Sequence, residues 1–239
     1  MKYEHIVKGK FLKRPNRFIS HCQVGDEEVL AHVKNTGRCA ELLQEGVTVY
    51  LEYAPSPTRK TDYSLIGVIK GDKLINMDAQ APNLVAVEGI KEGKITLPNL
   101  TGNITHLRQE VTFEGSRFDI YLETDLGEKA FIEVKGVTLE QDNVVKFPDA
   151  PTVRGAKHVK TLIKAVESGY GAYVLFIVQM ADVSYFTPNG ANDPAFEQIL
   201  LEAKKAGVAV LAYDTTVTPE QLVIRQAVPV KMLGSEEMC

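Results

Sequence analysis

The pattern of this chain changes near residue 80, and the change limits the folds that it can adopt. Up to residue 76 the sequence consists of short runs separated by turn residues such as Gly25-Asp26 and Gly71-Asp72. Such runs are typical of β-strands, and they predict strands at residues 18–24, 28–33, 47–53, 63–70 and 73–76, with a short helix at 40–43. Five short strands predict a small β-barrel such as an OB-fold. A small sandwich or an SH3-like barrel fits almost as well.

Residues 77–82 form a predicted linker, after which helices and strands alternate. Asn83 is the expected N-cap of a helix over residues 84–90. The later elements are strands at 107–113, 117–123 and 129–135, a helix at 152–168, a strand at 172–179, a helix at 193–206 and a strand at 208–213. This order indicates an α/β domain. We therefore expect two domains, residues 1–82 and residues 83–239.

The charge of the chain is divided unevenly between these two parts. The formal net charge is −4, with 12 Lys+Arg against 10 Asp+Glu in residues 1–82 and 15 against 21 in residues 83–239. Residues 8–17 hold five basic residues and no acid. A net acidic protein does not coat nucleic acid through bulk charge, so any such contact should be local and partly N-terminal.

The cysteines and the apolar runs predict a cytoplasmic location. Cys22, Cys39 and Cys239 are scattered and form no CxxC pair, which disfavours a cysteine zinc site and suits a reducing compartment. The first residues lack the apolar core of a signal peptide. The longest fully apolar run, residues 172–178, is too short to span a bilayer, so we expect no membrane partner.

The residues that point most directly to chemistry are Asp119, Glu133 and Lys135. Glu133 and Lys135 lie two apart on a predicted strand and therefore share a face, while Asp119 lies on the preceding predicted strand. Two carboxylates can hold a hard divalent cation. A neighbouring ammonium can orient a water or stabilise developing phosphate charge. The group predicts the catalytic site of a metal-dependent nuclease.

An ordinary Glu133–Lys135 ion pair on an open sheet face is the alternative interpretation of this motif. Glu88, on the preceding helix, is a candidate third metal ligand, although a solvated helix glutamate explains it equally well. Glu110 is a secondary candidate of the same kind. The sequence contains no P-loop and no serine nucleophile elbow.

Two basic regions are candidates for contacts with nucleic acid. On the helix at 152–168, Arg154, Lys157 and His158 lie on one polar stripe that also includes Thr161 and could hold phosphates. On the barrel, the loops provide Arg14, Arg17, Lys34, Asn35, Arg38, Arg59 and Lys60, a composition that suits a nucleic-acid groove. A two-faced helix and solvated hairpin loops are the alternatives.

Several longer segments resemble the sugar fermentation stimulation protein A family of bacteria and archaea. They are residues 11–18, FLKRPNRF; 32–38, HVKNTGR; 57–63, PTRKTDY; 82–85, PNLV; 115–119, GSRFD; 132–139, IEVKGVTL; and 147–158, FPDAPTVRGAKH. They occur in the family's order over most of the chain.

The resemblance implies an N-terminal OB-like domain and a C-terminal restriction-endonuclease-like domain of the PD-(D/E)xK type. It also implies DNA binding and a regulatory link to sugar use. Asp119 matches the first acid of the motif, Glu133 the second and Lys135 the lysine, with Phe118 in place of the motif's proline. Where other members continue from the lysine with serine, this chain has Gly136.

We therefore expect a DNA-binding protein with a nuclease site that uses Mg²⁺ or Mn²⁺. A non-catalytic DNA-binding regulator linked to sugar metabolism is the second hypothesis, and an accessory protein that touches no nucleic acid is the third. The sequence leaves open whether the DNA is single- or double-stranded and whether the chain forms a homo-oligomer.

Overall fold

The computed structural model describes residues 1–35, 37–55 and 60–232. Its N-terminal part is built from β-strands that enclose an apolar interior. The strands are β1 (Ile6–Asn16), β2 (Ile19–Val24), β3 (Glu27–Val33), β4 (Thr48–Tyr53), β5 (Tyr63–Lys70) and β6 (Lys73–Asn76).

The first five strands close into a barrel. β1 pairs with β2 and β4, β2 pairs with β3, and β5 pairs with β4 and, in parallel, with β3. A closed five-stranded barrel has no free edge and is the arrangement of an OB-fold. Its interior is filled by fully buried side chains that include Val33, Val49 and Leu65. The predicted barrel is therefore confirmed.

Two local predictions for the barrel were wrong. Strand β1 was missed because its basic residues conceal the alternation, although Phe11 points inward and is buried. The helix expected at residues 40–43 is a set of turns in which Leu42 and Leu43 both donate to the carbonyl of Cys39.

The second part of the chain is an α/β unit. Its helices are α1 (Ala81–Lys91), α2 (Val153–Glu167) and α3 (Pro194–Lys205), and its strands are β7 (Ile104–Phe113), β8 (Ser116–Thr124), β9 (Lys129–Val137), β10 (Leu139–Gln141), β11 (Val144–Phe147), β12 (Gly171–Val178), β13 (Tyr185–Pro188), β14 (Ala209–Thr218) and β15 (Gln221–Ala227).

Six strands form the main sheet in the order β15-β14-β12-β9-β8-β7. β12 runs parallel to β9 and β14, whereas β7, β8 and β15 are antiparallel to their neighbours. Helix α1 packs on β9 and β15, while α2 contacts β8, β9 and β12 and packs against α3. With helices on both faces, the central strand β12 is buried almost throughout, which explains its continuous apolar sequence.

The two long helices begin at the capping residues that their sequences supply. Thr152 accepts a hydrogen bond from the amide of Gly155, and Asp193 accepts one from the amide of Phe196. Helix α1, however, begins at Ala81, two residues before the expected cap Asn83. Within the described ranges, no helix is long and apolar enough to cross a membrane.

Strands β10, β11, β13 and β15 were not predicted. The first three form a small separate sheet of short strands, and three- or four-residue strands contain too little alternation to be recognised. β15 extends the main sheet at the edge beyond β14.

Polar contacts fix the barrel to the α/β unit. The amide of Asn76 donates to the carbonyl of Gln179 at 2.9 Å, and the Gln179 side chain donates back to Asn76 Oδ1 at 2.9 Å. Lys70 on β5 pairs with the buried Glu140 of β10 at 2.6 Å. Because these groups are largely shielded from water, separating the two parts would leave them unpaired, which is costly.

Candidate functional site

The candidate site lies where β8 and β9 stop pairing. The ladder extends from Glu123–Lys129 to Ile120–Ile132. Beyond it, Asp119 Oδ2 accepts a hydrogen bond from the backbone amide of Val134 at 2.7 Å. In a continued ladder, a backbone carbonyl of the neighbouring strand would accept this hydrogen bond. Here the aspartate side chain accepts it instead, and the two strands separate around the side chain.

A polar cavity of about 280 Å³ opens at this point. It contains both carboxylates and the lysine of the predicted motif. Its walls are formed by Ala79, Asn83, Glu110, Arg117, Phe118, Asp119, Glu133, Val134, Lys135, Arg154 and His158.

Asp119 is oriented by hydrogen bonds to both of its oxygens. In addition to the contact with the Val134 backbone amide, Oδ1 accepts a hydrogen bond from the side-chain amide (Nδ2) of Asn83 at 2.8 Å. Burial raises the pKa of Asp119 above its usual value, and the negative charge of Glu133 raises it further. The Val134 amide, Lys135 and Asn83 oppose this rise. A cation placed between the two carboxylates would relieve their repulsion.

Glu133 is 2% exposed and uses only one of its oxygens. Oε1 accepts from Lys135 Nζ at 2.5 Å and lies 2.6 Å from His158 Nδ1. An ionised carboxylate can only accept, so Nδ1 carries the proton in this pair. Oε2 is buried and has no hydrogen-bonding partner among the described residues. A buried carboxylate oxygen without a partner is costly and marks a position suited to a cation.

The donor set fits a hard divalent cation. Mg²⁺ is usually bound by one or two carboxylates, with waters and substrate phosphates completing its coordination. Asp119 and Glu133 would supply these two carboxylates. In the described part of the chain, no group of three or more His, Cys, Asp and Glu side chains forms a metal cluster.

Glu88 does not join the cavity. Its carboxylate pairs with the amino group of Met1, and its side chain is half exposed. The sequence-predicted role of third metal ligand is not supported by this placement. Asn83, five residues earlier, is the α1 residue that reaches Asp119.

The predicted polar stripe of α2 is divided between the interior and the surface. His158 and Thr161 are buried, and Thr161 Oγ1 lies 2.8 Å from Ser116 Oγ of β8. They are buried because this side of the helix packs on β8 and β9. Arg154 is exposed and lines the cavity, whereas Lys157 is exposed outside it, with its ammonium 3.4 Å from the carbonyl of Gly115.

On the barrel, two of the predicted phosphate-binding residues already have partners within the protein. Arg14 donates to four backbone carbonyls, those of Arg17, Asn35, Gly37 and Arg38, at 2.6–2.9 Å. Lys34 pairs at 2.6 Å with Asp78, which is fully buried. Both cations therefore stabilise the loop and the domain junction.

The remaining barrel candidates have more freedom. Arg17 is exposed and lies over the ring of Phe18, 4.8 Å from its centroid. Arg38 and Lys60 are exposed. Asn35 lines a second cavity, next to the first. Arg59 lies outside the described residues.

Asn83 and Arg117 lie at the site although the sequence did not identify them as candidates. Arg117 lines the cavity and forms an exposed ion pair with Glu110 at 3.4 Å. Its position two residues before Asp119 on the same strand was a signal that could have identified it. Asn83 was interpreted only as a helix cap.

Comparison with known proteins agrees with this architecture. The family model for the sugar fermentation stimulation protein N-terminal OB domain matches residues 12–77, and that for the protein's RE domain matches residues 80–221. The N-terminal unit is thus an OB domain and the C-terminal unit a restriction-endonuclease-like α/β domain, as the resemblance implied.

Individual relatives match over nearly the whole chain. The sugar fermentation stimulation protein homolog of Desulfitobacterium hafniense (strain Y51) is 51% identical over 98% of this chain and 99% of its own length. That of Clostridium beijerinckii is 48% identical over 96% and 99%. The structure of Pyrococcus furiosus SfsA in complex with Ca²⁺ superposes with a TM-score of 0.83 at 31% identity, covering 97% of this chain and 98% of that one. The chain belongs to the sugar fermentation stimulation protein family.

Proposed function

We propose that this protein binds DNA and hydrolyses a phosphodiester bond at a divalent cation held by Asp119 and Glu133. The observation that carries the proposal is the buried Glu133 Oε2, which has no partner within the described residues and lies in the same cavity as Asp119. The complex of Pyrococcus furiosus SfsA with Ca²⁺ supports the use of a hard cation by a relative. Mg²⁺ or Mn²⁺ is the ion that we assign to this chain.

The cation, when bound, would polarise the scissile phosphate and lower the pKa of a coordinated water. Lys135 is half-buried in the same cavity, and its ammonium can position the attacking water or stabilise charge on the phosphate. Arg117 and Arg154 line the cavity from strand β8 and helix α2. Their exposed guanidinium groups can hold the flanking phosphates.

We assign DNA binding to both parts of the chain, residues 1–82 and residues 83–239. The exposed cations Arg17, Arg38 and Lys60 belong to the barrel, whereas Arg154 and Lys157 belong to the α/β unit. Because the net charge is negative, affinity should depend on these local contacts. A cytoplasmic location remains a prediction from the cysteine content.

A non-catalytic DNA-binding regulator linked to sugar metabolism is the second candidate. The ion pair between Lys135 and Glu133 favours it, because the lysine ammonium can itself balance the charge of the carboxylate. On that hypothesis the site would bind DNA without cleaving it.

The two candidates are separated by measuring cleavage and binding independently. Nicking of supercoiled plasmid is followed with Mg²⁺, Mn²⁺ or no metal for the wild type, Asp119→Asn and Glu133→Gln. Glu202→Gln, an exposed acid on α3, is the matched control. Metal-dependent nicking that both site variants lose and the control retains supports hydrolysis. If the variants nick as fast as the wild type, the assignment fails. Salt-sensitive binding without nicking under any metal supports the regulator.

A further inference from the structure

A second cavity, of about 220 Å³, lies beside the site cavity at the junction of the barrel and the α/β unit. We call it the junction pocket and define it by Asn35, Gly136, Thr138, Lys146, Phe147 and Asp149. The two cavities share Ala79 as a wall residue, and Gly136 directly follows Lys135 on β9. If a phosphate of a DNA strand lies in the site cavity, a neighbouring part of the same strand would therefore lie at the junction pocket.

The size of the junction pocket limits what it can hold. Sites for drug-sized ligands usually measure about 300–1,000 Å³, so this volume suits a single small group. Gly136 is required by close packing at this wall, because a Cβ there would lie 2.5 Å from Gln179 Oε1 and 2.7 Å from Pro82 Cγ.

The wall of the pocket combines a donor, an acceptor and an apolar surface. Asn35 Oδ1 accepts from the amide of Gly37 at 2.9 Å, which leaves its Nδ2 group to donate. Asp149 is exposed, and among the described residues its carboxylate has no hydrogen-bonding partner. The half-buried ring of Phe147 provides the apolar part. These are the features with which proteins bind the edge and the face of an unpaired base.

The Asn35 loop is held in place across from Asp149. Arg14 donates to the carbonyls of Asn35 and Gly37 at 2.7 and 2.8 Å. Gly37 approaches Asp149 so closely that a Cβ on it would collide with Oδ2. The donor and the acceptor therefore come from different domains, and the loop that carries the donor is held beside Asp149 before any ligand binds.

We propose that the junction pocket binds one unpaired nucleobase that carries an amino group, with cytosine as the simplest case. The inference rests on the proposed function, because it requires a DNA strand in the adjacent site cavity. The Asp149 carboxylate would accept from the amino group of cytosine, whereas thymine presents a carbonyl oxygen at that position. Because a paired base cannot enter the pocket, the preferred substrate is single-stranded or locally opened DNA.

The test measures binding by fluorescence anisotropy in EDTA, so that cleavage does not contribute. The probes are fluorescein-labelled oligodeoxycytidine, oligodeoxythymidine and a mixed-sequence duplex, all of equal length and at slightly alkaline pH. The wild type should bind oligodeoxycytidine about tenfold more tightly than oligodeoxythymidine, and more tightly than the duplex. Asp149→Asn should reduce the preference to about twofold or less, because the asparagine amide can donate to thymine. Asp26→Asn, an exposed acid on the β2–β3 turn, should retain the full preference.

Three results would overturn the inference: equal binding of the two strands by the wild type, an unchanged preference in Asp149→Asn, or duplex binding as tight as that of oligodeoxycytidine. Asn35→Ala is the second variant, for use if Asp149→Asn does not fold. It should weaken the binding of oligodeoxycytidine. The proposed nuclease activity is scored separately by metal-dependent nicking. A preference for cytosine without nicking supports the base site and rejects hydrolysis. Nicking without any preference supports hydrolysis and rejects the base site.

Discussion

Nδ1 of His158 lies 2.6 Å from Oε1 of Glu133, so helix α2 fixes one oxygen of the buried carboxylate while the other stays without a partner among the described residues. The imidazole is itself buried, with its ring 6.1 Å from that of Phe118. We therefore infer that His158 positions the Glu133 carboxylate. From the sequence, the position of His158 on the polar stripe of the helix had predicted a contact with phosphate.

Replacing His158 should weaken cation binding as well as folding. In His158→Ala, Glu133 loses a buried hydrogen bond, which should lower the free energy of unfolding by about 1–3 kcal/mol. The freed carboxylate should also bind Mn²⁺ about 10–100-fold more weakly, as is typical when the partner of a metal ligand is removed. Urea unfolding and isothermal titration calorimetry measure the two effects. His158→Gln should recover part of both, and an unchanged Mn²⁺ affinity in His158→Ala would contradict the positioning role.

Cation binding should stabilise the folded protein through the two carboxylates. An ion that binds only the native state at about 100 times its Kd adds about 2.7 kcal/mol to the free energy of unfolding. Mn²⁺ should therefore raise the thermal midpoint of the wild type, and EDTA should reverse the rise. Asp119→Asn and Glu133→Gln should show no such response. A rise in these variants equal to that of the wild type would place the cation elsewhere.

A pH-dependent contribution to stability comes from Glu128, at the turn between β8 and β9. The backbone amides of Gly102 and Thr101, together with the Thr101 and Thr124 hydroxyls, donate to its carboxylate at 2.8–3.1 Å. These bonds lower the pKa of Glu128 to about 2. Because the folded-state pKa lies below the unfolded-state value, the contribution is complete above about pH 4.5 and is lost as the pH falls towards 2.

Glu128→Gln should consequently lower the thermal midpoint at neutral pH, and the difference from the wild type should shrink steadily from about pH 4.5 to about pH 2. Thermal unfolding followed by circular dichroism over this range measures the change. Glu45→Gln, an exposed acid on a barrel turn, is the control. A difference that stays constant down to the acid limit would show that the hydrogen-bonded carboxylate is not responsible.

The sequence was sufficient for the features that depend on local periodicity. The two-residue spacing of Glu133 and Lys135 placed them on one strand face. The helices predicted at 152–168 and 193–206 begin within one residue of α2 and α3. Contacts between distant elements could not be deduced in this way. The approach of α2 to Glu133 and the four carbonyls around Arg14 depend on how helices and loops pack, which a single sequence does not specify.

Asn83 illustrates this limit and provides a direct test. A cap role and a carboxylate-orienting role predict different results for two small substitutions. If Asn83 capped α1, serine would replace it well and Asn83→Ser would be close to the wild type in stability. Since α1 begins at Ala81 and the Asn83 amide donates to Asp119 Oδ1 at 2.8 Å, serine is too short to replace it.

We therefore expect Asn83→Ser and Asn83→Ala to lose similar free energies of unfolding, about 1 kcal/mol for a partly exposed hydrogen bond to a carboxylate. Both should also weaken Mn²⁺ binding, because Asp119 is less well oriented. Leu84→Ala, at an exposed position of the same helix, controls for changes in helix propensity and should leave the Mn²⁺ affinity unaltered. Urea unfolding and calorimetric titration measure the two effects. If Asn83→Ser has the stability and the Mn²⁺ affinity of the wild type, Asn83 is a helix cap and does not orient Asp119.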